Sequence, residues 1–144
     1  NVRGAQGPVG PTGDGTQTDL NNKIAEFDYG TWFQFPLAAN WANLDTVNWR
    51  TARYRRNNYR VELDGMLWYT GAPLAAGSII PITTALAANY RPAYRQMFGG
   101  WFDAGQPRIN AWIETTGVIS TYITGGTLPT NAWISFGGHS YSRT

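Results

Sequence analysis

Residues 51–67 have the sequence Thr-Ala-Arg-Tyr-Arg-Arg-Asn-Asn-Tyr-Arg-Val-Glu-Leu-Asp-Gly-Met-Leu, and this stretch decides the fold class. Asn57 and Asn58 can form a two-residue turn, because asparagine tolerates positive φ better than most residues do. Apolar and charged residues alternate on both sides of this turn, as they do in strands with one buried face. The stretch therefore predicts a β-hairpin.

The turn at Asn57-Asn58 also predicts a register for this hairpin. The expected pairs are Thr51 with Asp64, Ala52 with Leu63, Arg53 with Glu62, and Tyr54 with Val61. The expected apolar face consists of Ala52, Tyr54, Tyr59, Val61, Leu63 and Leu67. The expected polar face consists of Arg53, Arg55, Arg60, Glu62 and Asp64. A slip of one residue would exchange the two faces, so the pattern limits the register. Because Arg55 would face Arg60, we expect an acidic or carbonyl partner nearby, for example from another subunit.

The remaining chain shows the same short-strand pattern. We expect strands at 31–35, 94–103, 108–114, 118–124 and 130–136, and an edge strand at 78–83 because it contains Pro81. Residues 37–45 are expected to form a loop, and residues after Gly138 a polar tail. Short strands with this spacing predict an all-β domain over residues 28–144, arranged as a jelly-roll-like β-sandwich.

Composition excludes several classes of protein. The 144 residues suit one domain with an N-terminal appendage. The chain has no cysteine, so it has neither disulfides nor a cysteine zinc site. Its net charge is +2, and Lys23 is its only lysine, which is not typical of nucleic-acid-binding surfaces. It has no apolar run of 18 residues, so no transmembrane helix is expected.

The N-terminal 15 residues carry a collagen-like repeat. Glycine occupies positions 4, 7, 10 and 13, and Pro8 and Pro11 each follow a glycine. Only glycine fits at every third position near the axis of a triple helix, so the repeat predicts a homotrimer. The alternative is a flexible Gly/Pro linker. So few triplets cannot hold a triple helix alone. We therefore expect either more triplets before Asn1 or a β-domain that holds the three strands together.

Residues 16–27 predict a short helix between the repeat and the β-domain. Leu20, Ile24 and Phe27 lie at i, i+4 and i+7, which places them on one helix face. In a trimer this apolar stripe would pack against its two copies and form a neck. Packing on its own domain is an equal alternative.

This layout resembles the receptor-binding proteins at the tail tips of tailed bacteriophages. Three further features resemble that family: the strand Val61-Glu62-Leu63-Asp64-Gly65-Met66-Leu67, the turn Asn89-Tyr90-Arg91-Pro92, and the strand through Phe98-Gly99-Gly100-Trp101. The Leu128-Pro129 pair is also common in such tips. The resemblance implies an extracellular homotrimeric head on the virion tail that binds a saccharide of the host surface. It also implies attachment to other tail or baseplate proteins through a part that precedes Asn1. Collagen-like bacterial or spore-surface proteins with a trimeric jelly-roll head share the layout, but the Arg-Pro turn favours the phage family.

Few residues suit catalysis. His139 is the only histidine, and neither a metal-ligand spacing nor a Gly-x-Ser-x-Gly elbow occurs. Glu62 and Asp64 share a strand face, a spacing that a glycosidase pair can use. Arg53 and Thr51 are expected opposite them, so a salt-bridged face is the simpler account. We therefore expect no enzyme, no metal and no cofactor. A glycan depolymerase is the remaining enzymatic alternative.

Aromatic residues on polar strand faces predict a saccharide site, because indole rings stack on sugar C–H groups while amides and carboxylates bind hydroxyls. Trp112 lies between Asn110 and Glu114 on such a face, and Trp133 lies on another. The predicted contacts are Trp101, Asp103, Asn110, Trp112, Glu114, Trp133, His139 and Tyr141. The alternative for each tryptophan is a core or a subunit interface, since interface cores are enriched in aromatic residues. For His139 the alternative is an ordinary surface hydrogen bond, and for the arginines near residue 55 it is structural pairing.

Overall fold

The computed structural model describes residues 30–98 and 108–144. In this part of the chain every regular element is a β-strand, apart from one 3-10 turn at Ala88–Tyr90. The strands are β1 (Phe33–Gln34), β2 (Trp41–Asn43), β3 (Arg53–Asn57), β4 (Arg60–Asp64), β5 (Met66–Tyr69), β6 (Leu74–Ala75), β7 (Ile79–Pro81), β8 (Gln96–Phe98), β9 (Arg108–Ile113), β10 (Ile119–Gly125), β11 (Thr127–Leu128), β12 (Trp133–Ser135) and β13 (His139–Ser142). The all-β prediction is confirmed. The jelly-roll topology stays a prediction.

Antiparallel pairing organises these strands into four sheets. Two sheets have four strands each, in the orders β1-β3-β4-β13 and β7-β10-β9-β8. A three-stranded sheet has the order β12-β5-β2, and β11 pairs with β6. Strand β7 lies at a sheet edge, where Pro81 lacks a backbone N–H to donate, as its sequence predicts.

The hairpin forms, but its register differs from the prediction. The turn lies at Asn58-Tyr59, where Asn58 adopts a φ of 56°. Tyr54 pairs with Leu63 and Arg55 pairs with Glu62. Moving the turn by one residue shifts the cross-strand partner of each residue by two positions. Each paired residue therefore stays on its predicted face of the sheet. The physical reason is charge, because the observed register replaces the Arg55–Arg60 repulsion with an ion pair inside the hairpin.

Two consequences of this register correct the sequence prediction. Arg55 needs no acidic partner from another subunit, because the Glu62 carboxylate lies 2.7 Å from its guanidinium. Tyr59 belongs to the turn and is 57% exposed, so it is not part of the buried face.

Gly65 allows one continuous stretch of chain to contribute a strand to each of two sheets. It separates β4 from β5 and adopts a φ of 99°. A side chain there would place its Cβ 2.4 Å from the carbonyl oxygen of Thr51. Only glycine combines positive φ with this close approach at no steric cost. The chain therefore bends here and carries the strand from the first sheet into the third.

One hydrophobic core joins the sheets. Inward-facing residues alternate along β4, β9 and β10, and Val61, Ile113, Ile119 and Ile123 are fully buried. Aromatic rings fill the remaining space, for example Phe35 and Phe136, whose centroids lie 5.2 Å apart in an edge-to-face arrangement. The alternation predicted for residues 108–124 is confirmed.

Four strands were not predicted, namely β2, β6, β11 and β13. Residues 37–45 contain β2, whose Trp41 is buried and pairs opposite Tyr69. The expected polar tail contains β13, which pairs with β4. Strands β2 and β13 are short and show no sustained apolar alternation, so neighbouring strands rather than their own pattern hold them in place. The collagen-like repeat, the helical neck and the predicted strand beyond Phe98 lie outside the described residues.

Candidate functional site

The predicted residues Asn110 and Trp112 lie together on the outer face of the β7-β10-β9-β8 sheet. They line a groove of about 360 Å³. We name this the Trp112 surface, and it consists of Ile79, Arg95, Met97, Asn110, Trp112 and Tyr122.

Strand alternation builds this surface. Residues 109, 111 and 113 of β9 point into the core, so Asn110 and Trp112 point outward. Tyr122 of β10 lies opposite both Asn110 and Ile79, while Met97 of β8 lies opposite Trp112. Cross-strand neighbours on one face touch, so the four strands contribute to one patch.

Glu114 holds the indole ring of Trp112 in place. Its carboxylate accepts a hydrogen bond of 2.6 Å from the indole Nε1 and one of 2.8 Å from the Arg95 Nε. The Arg95 guanidinium lies 6.0 Å from the ring centroid of Trp112. The hydrogen bond from Arg95 is the largest cause that lowers the pKa of Glu114 below its usual value. The ionised Glu114 carboxylate thus links the two side chains. We name this pair of hydrogen bonds the Glu114 brace.

The apolar members of this surface are unusually exposed. Ile79 is 61% and Met97 is 68% exposed, and the nearby Tyr94 is 73% exposed. Contiguous apolar exposure of this kind marks a binding surface for a ligand or a partner.

Trp133 and His139, two further predicted contacts, lie apart from the Trp112 surface. Trp133 is half-buried on the outer face of the three-stranded sheet, directly opposite Trp68. His139 is half-buried in β13, and its burial lowers its pKa. Trp101 and Asp103 lie outside the described residues.

Tyr141 is a core residue and not a surface contact. It is 1% exposed, and its hydroxyl donates a 2.6 Å hydrogen bond to the carbonyl oxygen of Tyr90. Burial raises the pKa of its hydroxyl. The sequence did not predict β13, so the inward position of Tyr141 opposite Val61 was missed.

A second groove, which the sequence did not predict, lies on the outer face of the β1-β3-β4-β13 sheet. Its volume is about 320 Å³. We name it the Trp32 groove, and its lining residues are Trp32, Arg50, Glu62, Leu63, Asp64, Gly138, His139 and Ser140.

Arginine side chains support the tryptophan of this groove. The guanidinium carbons of Arg53 and Arg55 lie 4.4 and 4.5 Å from the Trp32 ring centroid. Asp64 in turn binds Arg53 at 2.8 Å, and Glu62 binds Arg55 at 2.7 Å. The ring therefore rests on two cations that carboxylates hold in position.

These contacts keep both carboxylates ionised. Burial raises the pKa of Glu62, but hydrogen bonds from Asn57 and Arg55 outweigh it and leave the pKa below its usual value. Burial acts on Asp64 in the same way, and hydrogen bonds from Arg53 and Arg50 again lower its pKa overall. A signal for this groove existed in the sequence, since Trp32 is an aromatic residue within the predicted strand 31–35 and lies directly before β1, whose neighbour β3 carries charged residues.

Two further properties concern the described part of the chain. Within residues 30–98 and 108–144, no three acidic or histidine side chains come together as metal ligands. The same residues include no helix that is long and apolar enough to span a membrane.

Comparison with known proteins gives a structural relative. No protein-family model matches the chain, and neither does any curated protein sequence. A crystal structure of the head domain of phage bIL170, described among receptor-binding domains of lactococcal phages, superimposes with a TM-score of 0.58. The match has 15% sequence identity and covers 78% of this chain and 97% of that one. The chain therefore has an all-β fold similar to that of a phage receptor-binding head.

Proposed function

We propose that this protein is the host-attachment head of a bacteriophage tail. The fold similarity to the bIL170 head domain supports the proposal, as does the exposed Trp112 surface, which has the form of a binding site. The proposed location is the virion tail tip, outside the host cell. Other tail proteins would hold the head through a segment N-terminal to the β-domain.

We propose that the ligand is a saccharide and that it binds at the Trp112 surface. The braced indole ring and Tyr122 offer flat apolar faces for sugar C–H groups. Asn110 supplies an amide, and Arg95 supplies further N–H donors for hydroxyl groups. The observation that carries this proposal is the Glu114 brace, because a ring fixed in advance loses less conformational entropy when a ligand binds.

The head is proposed to act as a homotrimer. The Gly-X-Y repeat at residues 4–13 supports this, since its spacing suits three chains wound together. Three linked heads gain avidity for a repeated surface ligand, even when each site binds weakly.

Replacing Trp112 tests the saccharide site. We expect Trp112→Ala to lower attachment to host cells at least about tenfold, because each of three weak sites loses its platform. Sedimentation should show an unchanged assembly, and circular dichroism an unchanged fold. Attachment equal to that of the wild type would overturn this assignment.

The same surface supports a second candidate role, as a contact between subunits. The exposed aliphatic side chains of Ile79 and Met97 favour it, because methionine and aromatic residues are enriched in interface cores. Ile79→Ser distinguishes the two roles, since Ile79 is at the far edge from Trp112. A variant that dissociates identifies an interface. A variant that stays assembled while Trp112→Ala loses attachment identifies a saccharide site.

We propose a non-enzymatic role, in which the head binds the saccharide without cleaving it. Incubation with purified host cell wall should release no reducing ends above a buffer control. A steady release that scales with protein concentration would favour a glycan depolymerase instead. Saturable, sugar-competed binding to intact cells would argue against a purely structural coat protein.

A further inference from the structure

We propose that the Trp32 groove is a second ligand site, which binds a saccharide unit carrying an acidic group. Its volume of about 320 Å³ lies at the lower end of the range for small-molecule sites. Its lining residues belong to β4, to β13 and to the segments that precede β1, β3 and β13, whereas the Trp112 surface is formed by the β7-β10-β9-β8 sheet. The two sites therefore share no lining residue.

The ring of Trp32 provides the platform for a sugar. Contacts with the guanidinium groups of Arg53 and Arg55 fix its orientation before any ligand arrives. Those two arginines are only about one-quarter exposed, so they support the ring from beneath. A fixed aromatic face at the border of a groove is suited to stacking on a pyranose ring.

Charge on this sheet face exceeds what its ion pairs neutralise. Among the described residues of this face, four guanidinium groups accompany two carboxylates, which leaves two positive charges in excess. The arginines are Arg50, Arg53, Arg55 and Arg60, and the carboxylates are Glu62 and Asp64. An acidic ligand would neutralise part of this excess.

Arg50 is the cation best placed to meet the acidic group. Its side chain is 72% exposed, and it contacts Asp64 through one long ion pair of 3.3 Å. Asp64 already binds Arg53 more closely, at 2.8 Å. A guanidinium has five N–H donors in a planar fork, so Arg50 retains donors for a carboxylate or phosphate.

Ser140, which pairs opposite Glu62, adds a further donor to the groove. Its Oγ accepts hydrogen bonds from Arg60, at 3.0 Å from Nε and 2.6 Å from Nη2. Since the oxygen accepts both of these bonds, the hydroxyl proton is available to donate to a ligand oxygen. Glu62 and Asp64, which also line the groove, can accept hydrogen bonds from sugar hydroxyls. A bare anion would not use the ring, and a neutral sugar would not use Arg50, so an acidic sugar fits the groove best.

Binding of four probes to the full chain tests this inference. Glucose 6-phosphate, glucuronic acid, glucose and inorganic phosphate are titrated by calorimetry at low ionic strength. We expect at least one of the two acidic sugars to bind, and to bind more tightly than both glucose and phosphate. Whichever acidic sugar binds more tightly identifies the acid as phosphate or carboxylate. No binding of either, or equal affinity of glucose or of phosphate, would overturn the inference.

A matched pair of arginine variants locates the site. Arg50→Gln should weaken binding of the acidic sugar about fivefold, as expected for one exposed charge pair. Arg56→Gln removes the same charge from the same sheet, at a side chain that lines neither groove and donates a hydrogen bond to the carbonyl oxygen of Asn58, and should leave this affinity unchanged. Equal losses in both variants would indicate a general charge effect and overturn the site. This result does not depend on host attachment, which Trp112→Ala tests separately.

Discussion

The two tryptophan surfaces use the same residue types in opposite arrangements. At the Trp112 surface, a carboxylate accepts hydrogen bonds from both the indole and an arginine, so it lies between them. At the Trp32 groove, arginines lie against the indole ring and the carboxylates hold the arginines from the far side. Each arrangement fixes a ring, but the cations lie closer to the ring in the second, at 4.4 and 4.5 Å from the centroid against 6.0 Å in the first.

The neighbours of each ring differ more than the rings do. Exposed Ile79 and Met97 surround Trp112, whereas Arg50 and Ser140 border the groove beside Trp32. An apolar rim suits either a sugar face or another subunit, and a charged rim suits a polar ligand. The surroundings of a surface tryptophan, rather than its presence, therefore indicate its role.

The largest effect is expected at Gly65, because the Trp32 side of the molecule depends on its bend. Gly65→Ala should lower the free energy of unfolding by about 3 kcal/mol, since it combines strain at positive φ with a clash against Thr51. Urea unfolding measures the loss. Gly77→Ala is the matched control, because Gly77 also has positive φ but nothing within 4 Å of a Cβ. It should cost about 1 kcal/mol. Equal losses would show that the close approach at Gly65 is not decisive.

A smaller effect on the free energy of unfolding should distinguish Glu62 from Glu114, the carboxylates that hold the surroundings of the two rings in place. Glu62→Ala leaves Arg55, which is 24% exposed, without its closest carboxylate. It should cost about 1.5 kcal/mol. Glu114→Ala leaves Arg95, which is 65% exposed and can be solvated. It should cost less than about 1 kcal/mol. Urea unfolding of both variants ranks them. A larger loss at Glu114 would mean that the Trp112 surface is the more rigid of the two.

Alternation in the longer strands was sufficient to predict most of the fold. Ile109, Ala111 and Ile113 point inward as expected, because a period of two leaves little freedom once one face is buried. The predicted hairpin register was wrong because Asn57 and Asn58 both suit the first position of the turn. Only the cross-strand charges distinguish the two possible registers, because the observed one pairs Arg55 with Glu62.

The candidate sites were predicted less well, since sites join residues that are distant in sequence. Asn110 and Trp112 were identified from one strand, but Ile79 and Met97 reach the same surface only through sheet pairing. Trp32 was missed because its significance depends on β3 lying beside β1. Strand order is set by packing of the whole domain, and no local pattern encodes it.

The smallest effect expected is a pH dependence confined to the groove side. His139 is the only histidine in the chain and lines the Trp32 groove, while the Trp112 surface includes none. Burial lowers its pKa below the usual 6.5, so the unfolded chain binds a proton more readily than the folded one. Stability is then complete above pH 6.5 and decreases as the pH falls below that value. Urea midpoints between pH 7.5 and 5.0 should show this decrease, and His139→Gln should reduce it, because the described carboxylates with lowered pKa titrate at lower pH. An unchanged slope in the variant would assign the dependence to other groups and remove this difference between the two surfaces.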